Sequence, residues 1–298
     1  MEENVIEVKN LVKKYQEFSL KDICFSIPYG SVVGFVGENG AGKSTVIRSI
    51  LGLCPIESGE IEILGQSVRS KLFDASWKEE IGVVLDECFF PGEMRIKHVG
   101  NIMKNIYRTW NQGQYAAYID RFQLPMNKKV RELSKGMKMK LSIAVALSHA
   151  SKVLILDEAT SGLDPVIRNE ILDIFQEFVL NEEHAVFLSS HITSDIEKIA
   201  DYIMLIHEGR ILLFESKDEL LYQYGLLKCT AGQADRIPRQ YILGRENSAF
   251  GSSVLLRNKA AFFENGLGMI RASAQEPEPV MDRVTIEDVL LYMVKYGI

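Results

Sequence analysis

A chain of 298 residues with 47% hydrophobic and 25% charged residues can bury one or two cores, which excludes a disordered protein. A net charge of -6 gives no overall attraction to a phosphate backbone, so nucleic acid is not an expected partner. Cys24, Cys54, Cys88 and Cys229 show no short paired spacing, so neither a zinc site nor a disulfide framework is expected, and a reducing cytosol fits.

The chain opens on "MEENVIEVKN", acidic and polar where a signal peptide is basic and then apolar, and no run approaches the roughly 18 apolar residues of a membrane span. Short β-type runs follow ("VIEVKNLVKKY", "DICFSI"). "SVVGFVGENGAGKSTVIRSILGL" then joins an apolar strand at residues 32–36, a glycine-rich loop and a helix opening near Lys43. "SGEIEILGQSV" reads as a strand and turn, and "EIGVVLDE" as a strand ending near Asp86. From about residue 90 to 150 the spacing is helical, with Met137, Leu141, Val145 and Ser148 on one stripe, so a helical insertion is expected. Within it, "LSKGMKMKL" (133–141) sets a serine and a glycine at the start of an amphipathic helix.

"KVLILDEA" is a continuous apolar strand closed by two carboxylates, the pattern of a strand covered on both faces in a parallel sheet. In "LDPVIRNEILDIFQEFVL", Asp164 is the expected N-cap and Pro165 the first helical residue. "AVFLSSH" is another buried strand with a polar tip, followed by the helix "TSDIEKIAD" and a hairpin turning at Glu208-Gly209-Arg210. Strands alternating with helices predict an α/β fold with a mainly parallel sheet behind an N-terminal antiparallel β part. After about residue 221 the sequence is β-like and turn-rich, then ends on "TIEDVLLYMVKYG", a helix with a Thr285 cap. A small C-terminal α+β domain is the simplest account.

"GENGAGKST" at 37–45 matches a phosphate-binding glycine loop, with Gly37, Gly42, Lys43 and Ser44 in the required places and Asn39, Gly40 and Ala41 between them. Its glycines let backbone N–H groups curl around a β-phosphate, and the helix that follows adds its dipole. Lys43 is expected to reach the β- and γ-phosphates, Ser44 to ligate Mg²⁺, and Thr45 to lie next to the α-phosphate. A buried strand ending in Asp157 and Glu158 is costly unless the carboxylates meet a cation or a solvated cleft. Asp157 is expected to hold Mg²⁺ through water and Glu158 to polarise the attacking water as general base; a merely solvated strand end is the alternative. His191 ends the next strand on the same edge of the sheet, as a γ-phosphate sensor or as a structural histidine.

Together these motifs resemble the ATP-binding subunit of an ABC transporter, over about residues 5–220. In family order they are Tyr15, "GENGAGKST", the signature "LSKGM", "VLILDEA", the D-loop "SGLDP" and "SSH" with the switch histidine. The resemblance implies a P-loop NTPase domain over 1–220, with a helical subdomain at about 87–150, and an accessory domain over 221–298. It implies ATP and Mg²⁺ as cofactors, with Tyr15 stacked on adenine. It further implies that Ser134 and Gly136 contact the γ-phosphate bound by a second ABC ATPase subunit, in a homodimer or heterodimer, with Asp164 signalling across that interface. A separately encoded transmembrane permease is the implied second partner, placing the chain in the cytoplasm at the inner face of the membrane.

Three positions depart from the family pattern. Lys135 and Met137 replace the third and fifth residues of the usual LSGGQ, and Asp86 stands where the Q-loop glutamine is expected. Asp86 carries a hard oxygen and is expected either to ligate Mg²⁺ or only to position its loop toward the membrane partner. The non-glutamine loop, "LSKGMKMKL" and the C-terminal helix are together similar to bacterial drug, lantibiotic and amphipathic-peptide exporter cassettes. The expected function is an ATP-hydrolysing export motor; the alternatives are a soluble ABC ATPase acting on ribosomes or nucleic acid, and a metabolic P-loop kinase.

Overall fold

The computed structural model describes residues 4–68, 76–270 and 276–296, and the chain forms two compact units, Met1–Ile211 and Leu212–Ile298. In the first, β1 (Asn4–Lys14) and β2 (Ser19–Pro28) pair antiparallel. β3 (Val32–Val36) leads into α1 (Lys43–Ile50), and β4 (Ser58–Ile63) and β5 (Gln66–Ser67) complete an antiparallel sheet of order β2-β1-β4-β5. β6 (Ile81–Val84) precedes three helices, α2 (Ile96–Ile106), α3 (Gln112–Arg121) and α4 (Lys135–Ala146). Then β7 (Val153–Asp157), α5 (Pro165–Val179), β8 (Ala185–Ser190), α6 (Thr193–Ile199) and β9 (Tyr202–His207) alternate, and the unit ends two residues into β10 (Arg210–Ser216).

The central sheet has the order β10-β9-β3-β8-β7-β6, and β6 to β9 join β3 in parallel pairings. Every residue of β3, β7 and β8 is buried, which is why these strands are near-continuous apolar runs, polar only at the carboxyl ends of β7 and β8, rather than alternating ones. Glu208 and Gly209 link β9 to β10 with both residues at positive φ, the backbone of a tight hairpin turn. A Cβ on Gly209 would stand 2.0 Å from the Ser19 carbonyl oxygen, so only glycine fits that turn.

Local caps fix the helices that flank the sheet edge. Asp164 accepts hydrogen bonds from Val166 N and Ile167 N, and α5 begins at Pro165. Ser134 caps α4 by accepting from Met137 N at 3.3 Å. α4 ends at Ala146 with Leu147 as its C-cap, so Ser148 of the expected stripe lies past the helix, where its hydroxyl donates to the Ala144 carbonyl.

The second unit mixes short helices and an antiparallel sheet. Its elements are α7 (Lys217–Gln223), β11 (Gly225–Cys229), α8 (Ala231–Asp235), β12 (Ile242–Ser248), β13 (Gly251–Leu256), α9 (Lys259–Asn265), α10 (Leu267–Ile270), β14 (Val280–Asp282) and α11 (Ile286–Val294), with strand order β12-β13-β11-β14. Leu227, Tyr241, Val254, Leu256 and Phe262 share one buried cluster, while α11 packs against β12 and β13. The stretch read as β-like holds α8 and α9 as well, each started by a side-chain cap from Thr230 or Asn258. Thr285 caps α11 as expected, in a reciprocal box with Asp288.

Candidate functional site

Strand register brings three loops together. Val36 at the end of β3 pairs with Ser190 at the end of β8, and Asp157 at the end of β7 pairs with Ser189. The glycine loop, Glu158 and His191 therefore leave the sheet from adjacent carboxyl ends, the edge where open α/β sheets hold ligands. Gly37 is pinned there by space, because a Cβ would stand 2.4 Å from the Ile206 carbonyl oxygen. Gly42 has φ 116 and no room beside Phe18 and Leu20, and as the N-cap of α1 it offers no side-chain acceptor. The first N–H groups of α1 are left to an outside anion.

Lys43 is 6% exposed, and its ammonium donates to the carbonyls of Gly37 (2.7 Å) and Glu38 (3.3 Å). Glu158 Oε1 lies 3.8 Å from that ammonium, and Glu158 Oε2 lies 2.6 Å from His191 Nδ1. Burial pushes the Lys43 pKa below the ordinary lysine value, against the pull of the Glu158 and Asp157 charges. Glu158 adopts φ 53, a left-handed conformation that costs a non-glycine residue roughly 1–2 kcal/mol. Its backbone N–H is held at 3.2 Å by both the carbonyl and the hydroxyl of Ser189. Asp157 lies beneath, 1% exposed, with Oδ1 accepting from the Ser189 hydroxyl at 2.6 Å.

A cavity of about 600 Å³ opens above these groups. Lys43, Ser44, Thr45, Gly42, Gly40 and Asn39 line it from the glycine loop and α1, and Glu158, His191 and Asp86 line it from the neighbouring strand ends. Tyr15 lines an adjoining cavity of about 710 Å³ with Ala41 and His207; the two share Phe18, Glu38, Asn39 and Gly40. Tyr15 is 51% exposed, with the Lys13 ammonium 5.0 Å from its ring centre. Ser134, Gly136 and Asp164 line neither cavity. Ser134 is an exposed cap, Gly136 faces Leu163 and Ile167 of its own chain, and Asp164 caps α5.

Three contributors escape a sequence reading. Ser189 braces both carboxylate residues, and only the β7–β8 register reveals it. His207 Nδ1, in the Tyr15 cavity, lies 3.3 Å from Oε2 of Glu38, a residue that both cavities share. Lys135 lines the Lys43 cavity from α4. Among the described residues no group of three or more His, Cys, Asp or Glu is arranged to hold a metal. Ser44 and Asp86 line the Lys43 cavity and the buried Asp157 does not, so their oxygens suit Mg²⁺ only as part of a shell completed by phosphates and water, the usual mode for that ion.

The family model described as "ABC transporter" matches residues 20–161. The bacitracin transport ATP-binding protein of Bacillus licheniformis is 35% identical over 217 residues, covering 70% of this chain and 68% of the relative. The lantibiotic transport ATP-binding protein of Streptococcus pyogenes is 33% identical, covering 72% of this chain and 92% of the relative. The uncharacterised ABC transporter ATP-binding protein YhcH of Bacillus subtilis is 28% identical over 98% of this chain and 91% of its own length. Among solved structures, an ATP-binding subunit of an ABC transporter superposes with a TM-score of 0.66 at 26% identity, over 72% of this chain and 91% of that one. A dimeric ATP-binding cassette bound to ADP and Pi has the same fold, with a TM-score of 0.63 at 21% identity over 71% of this chain and 98% of that one.

Proposed function

The chain belongs to the ABC transporter family of ATP-hydrolysing, ATP-binding subunits, and from that premise we propose that it powers export of a peptide, drug or related amphipathic substrate through a separately encoded membrane subunit. The bacitracin and lantibiotic transport named for two relatives supports the substrate class. Among the described residues no helix is long and apolar enough to cross a membrane, so the transport path belongs to that partner. The chain then works in the cytoplasm at the inner face of the membrane. Met1–Ile211 carries the ATPase and Leu212–Ile298 is accessory to it.

The observation that carries the reading is the Glu158 carboxylate, held between the Lys43 ammonium and the His191 imidazole at the cavity wall. Lys43 and the N-terminus of α1 hold the β- and γ-phosphates, and the adjoining Tyr15 cavity takes adenine. Glu158 takes the proton of the attacking water, and His191 fixes the carboxylate's direction while facing the γ-phosphate. Ser44 and Asp86 offer oxygens to Mg²⁺, with Asp157 acting through water because it lies below the cavity surface. When bound, Mg²⁺ neutralises charge on the β- and γ-phosphates. Ser134 and Gly136, which line neither cavity of their own chain, meet the γ-phosphate of a second subunit, and Asp164 lies in that interface.

Phosphate release from Mg·ATP, and its loss in Glu158→Gln, tests the chemistry. Affinity capture of the full chain from its own membranes tests the assembly: recovery of a polytopic membrane protein supports the export motor, whereas ribosomes or nucleic acid without one would support the soluble alternative.

A further inference from the structure

Two lysines end β1 in succession, and they differ: Lys14 is exposed, whereas Lys13 is only 8% exposed. A buried ammonium needs compensation. Its ion pair is modest, because Glu57 Oε1 lies 3.4 Å away on a side chain that is itself 40% exposed. The other contact is aromatic. The ammonium stands over the Tyr15 ring, 5.0 Å from its centre, inside the roughly 6 Å range of a cation–π interaction. Residues i and i+2 of an extended chain share a face, which brings Lys13 and Tyr15 together.

Both partners of this contact are held in place. The Glu57 N–H donates to the Val12 carbonyl at 2.9 Å, and Glu57 Oε2 accepts from the Lys14 N–H at 2.8 Å, which leaves Oε1 for Lys13. The Tyr15 N–H donates to the Phe18 carbonyl at 2.7 Å, closing a tight turn whose Phe18 lines both cavities. Tyr15 lines the 710 Å³ cavity and Lys13 does not. The cation therefore covers the ring from behind, and the face toward the cavity stays free.

An aromatic face carries negative charge density, so two rings stacked face to face repel unless something offsets it. An ammonium behind one ring draws that density toward itself and fixes the ring's direction before a base arrives. We propose that Lys13 is a positioning residue for the nucleobase, anchoring and polarising Tyr15 so that its cavity face takes an electron-rich purine. The proposal rests on the reading of that cavity as the adenine site. Because Lys13 acts through the ring, it strengthens binding of the base and not of the phosphates. Loss of one such cation changes affinity about fivefold.

Calorimetric titration of the full chain, in a Glu158→Gln background that blocks turnover, separates the two parts of the ligand. One titrant is Mg·ATP and the other is Mg·tripolyphosphate, which has no base. Lys13→Met keeps the apolar stem without the charge, and is expected to weaken ATP about fivefold and tripolyphosphate less than about twofold. Lys13→Gln, which retains a donor for Glu57, is expected to behave alike, while Lys13→Arg restores ATP affinity to within about twofold of the parent. Tyr15→Leu weakens ATP as well, and adding Lys13→Met to it brings less than about a further twofold loss. An ATP affinity matching the parent in either neutral variant overturns the proposal. So does an equal loss for ATP and tripolyphosphate, or a Lys13→Met loss that persists in full on top of Tyr15→Leu. An ATP affinity indifferent to Tyr15→Leu removes the base from that cavity and overturns the reading beneath the proposal. Retained tripolyphosphate binding shows in the same titrations that each variant is folded.

Discussion

His191 Nδ1 lies 2.6 Å from Glu158 Oε2, while Lys43 Nζ stands 3.8 Å from the other oxygen of the same carboxylate. One side chain is thereby held from both ends, on a residue whose backbone is already committed to φ 53. A carboxylate so fixed suits proton abstraction, which is worth 10²–10⁴-fold in rate. Glu158→Gln keeps the shape and removes the base, so kcat for ATP hydrolysis is expected to fall at least about 10²-fold with nucleotide affinity retained. His191→Ala leaves the base in place but frees its direction, so kcat falls with KM nearly unchanged. Phosphate-release kinetics across a range of ATP concentrations read both.

Lys43 is buried, and its ammonium is spent on backbone carbonyls of the loop that it serves. Its charge is tolerated there because Glu158 and Asp157 offset part of the desolvation. Lys43→Ala removes charge-assisted bonds to phosphate worth roughly 1.5–3 kcal/mol, so ATP affinity is expected to drop about 10–100-fold. Because burial lowers the Lys43 pKa, the wild-type protein should lose ATP affinity at a lower alkaline pH than an ordinary lysine would dictate. Titration from pH 7 upward tests this, since the loss is absent in Lys43→Ala.

Local signals made much of this architecture legible. The apolar runs of β3 and β7 needed no partner to be recognised, and Asp164-Pro165 announced the start of α5 by chemistry confined to three residues. The glycine loop was readable for the same reason: Gly37, Gly42 and Lys43 lie within seven residues of sequence and act together in space. What stayed hidden is set by distant pairing. Ser189 braces Asp157 because two parallel strands align them, a register that no spacing within either strand encodes. The short helices α8 and α9 were obscured by turn-rich flanks, since fewer than eight residues carry too little periodicity to stand out.

Glu215 in the second unit gives a pH-dependent stability test. Tyr224 donates to Glu215 Oε1 at 3.2 Å, but among the described residues Oε2 is buried without a hydrogen-bond partner. Burial raises the carboxyl pKa above its ordinary 4.5, and the charge of Glu219 adds to the rise. A carboxyl whose folded pKa is raised costs nothing below its unfolded value and destabilises the fold as pH climbs through the folded value. Glu215→Gln is therefore expected to match wild type at pH 4 and to melt higher by about 2 °C at pH 7. The increment is small because the side chain is partly solvated. Thermal melts at the two pH values decide it, and an equal gap at both would reject a charge origin.

Gly136 separates what the fold needs from what the second subunit needs. It is the second residue of α4, its φ is not in the left-handed region, and a Cβ there would meet Leu163 Cδ2 at 3.4 Å and Ile167 Cδ1 at 3.8 Å, both ordinary van der Waals distances. Nothing in its own chain demands glycine, and alanine in a helix is favoured over glycine by about 0.5–1 kcal/mol. Gly136→Ala should consequently melt at or slightly above the wild-type temperature. If the tip of α4 approaches phosphate in another subunit, the added methyl crowds that approach, so ATP turnover per chain should fall at protein concentrations where wild type dimerises, with no change in single-chain ATP affinity. Calorimetry, sedimentation and turnover on the same sample read all three quantities. A variant as active as wild type at every concentration would remove Gly136 from the intersubunit site.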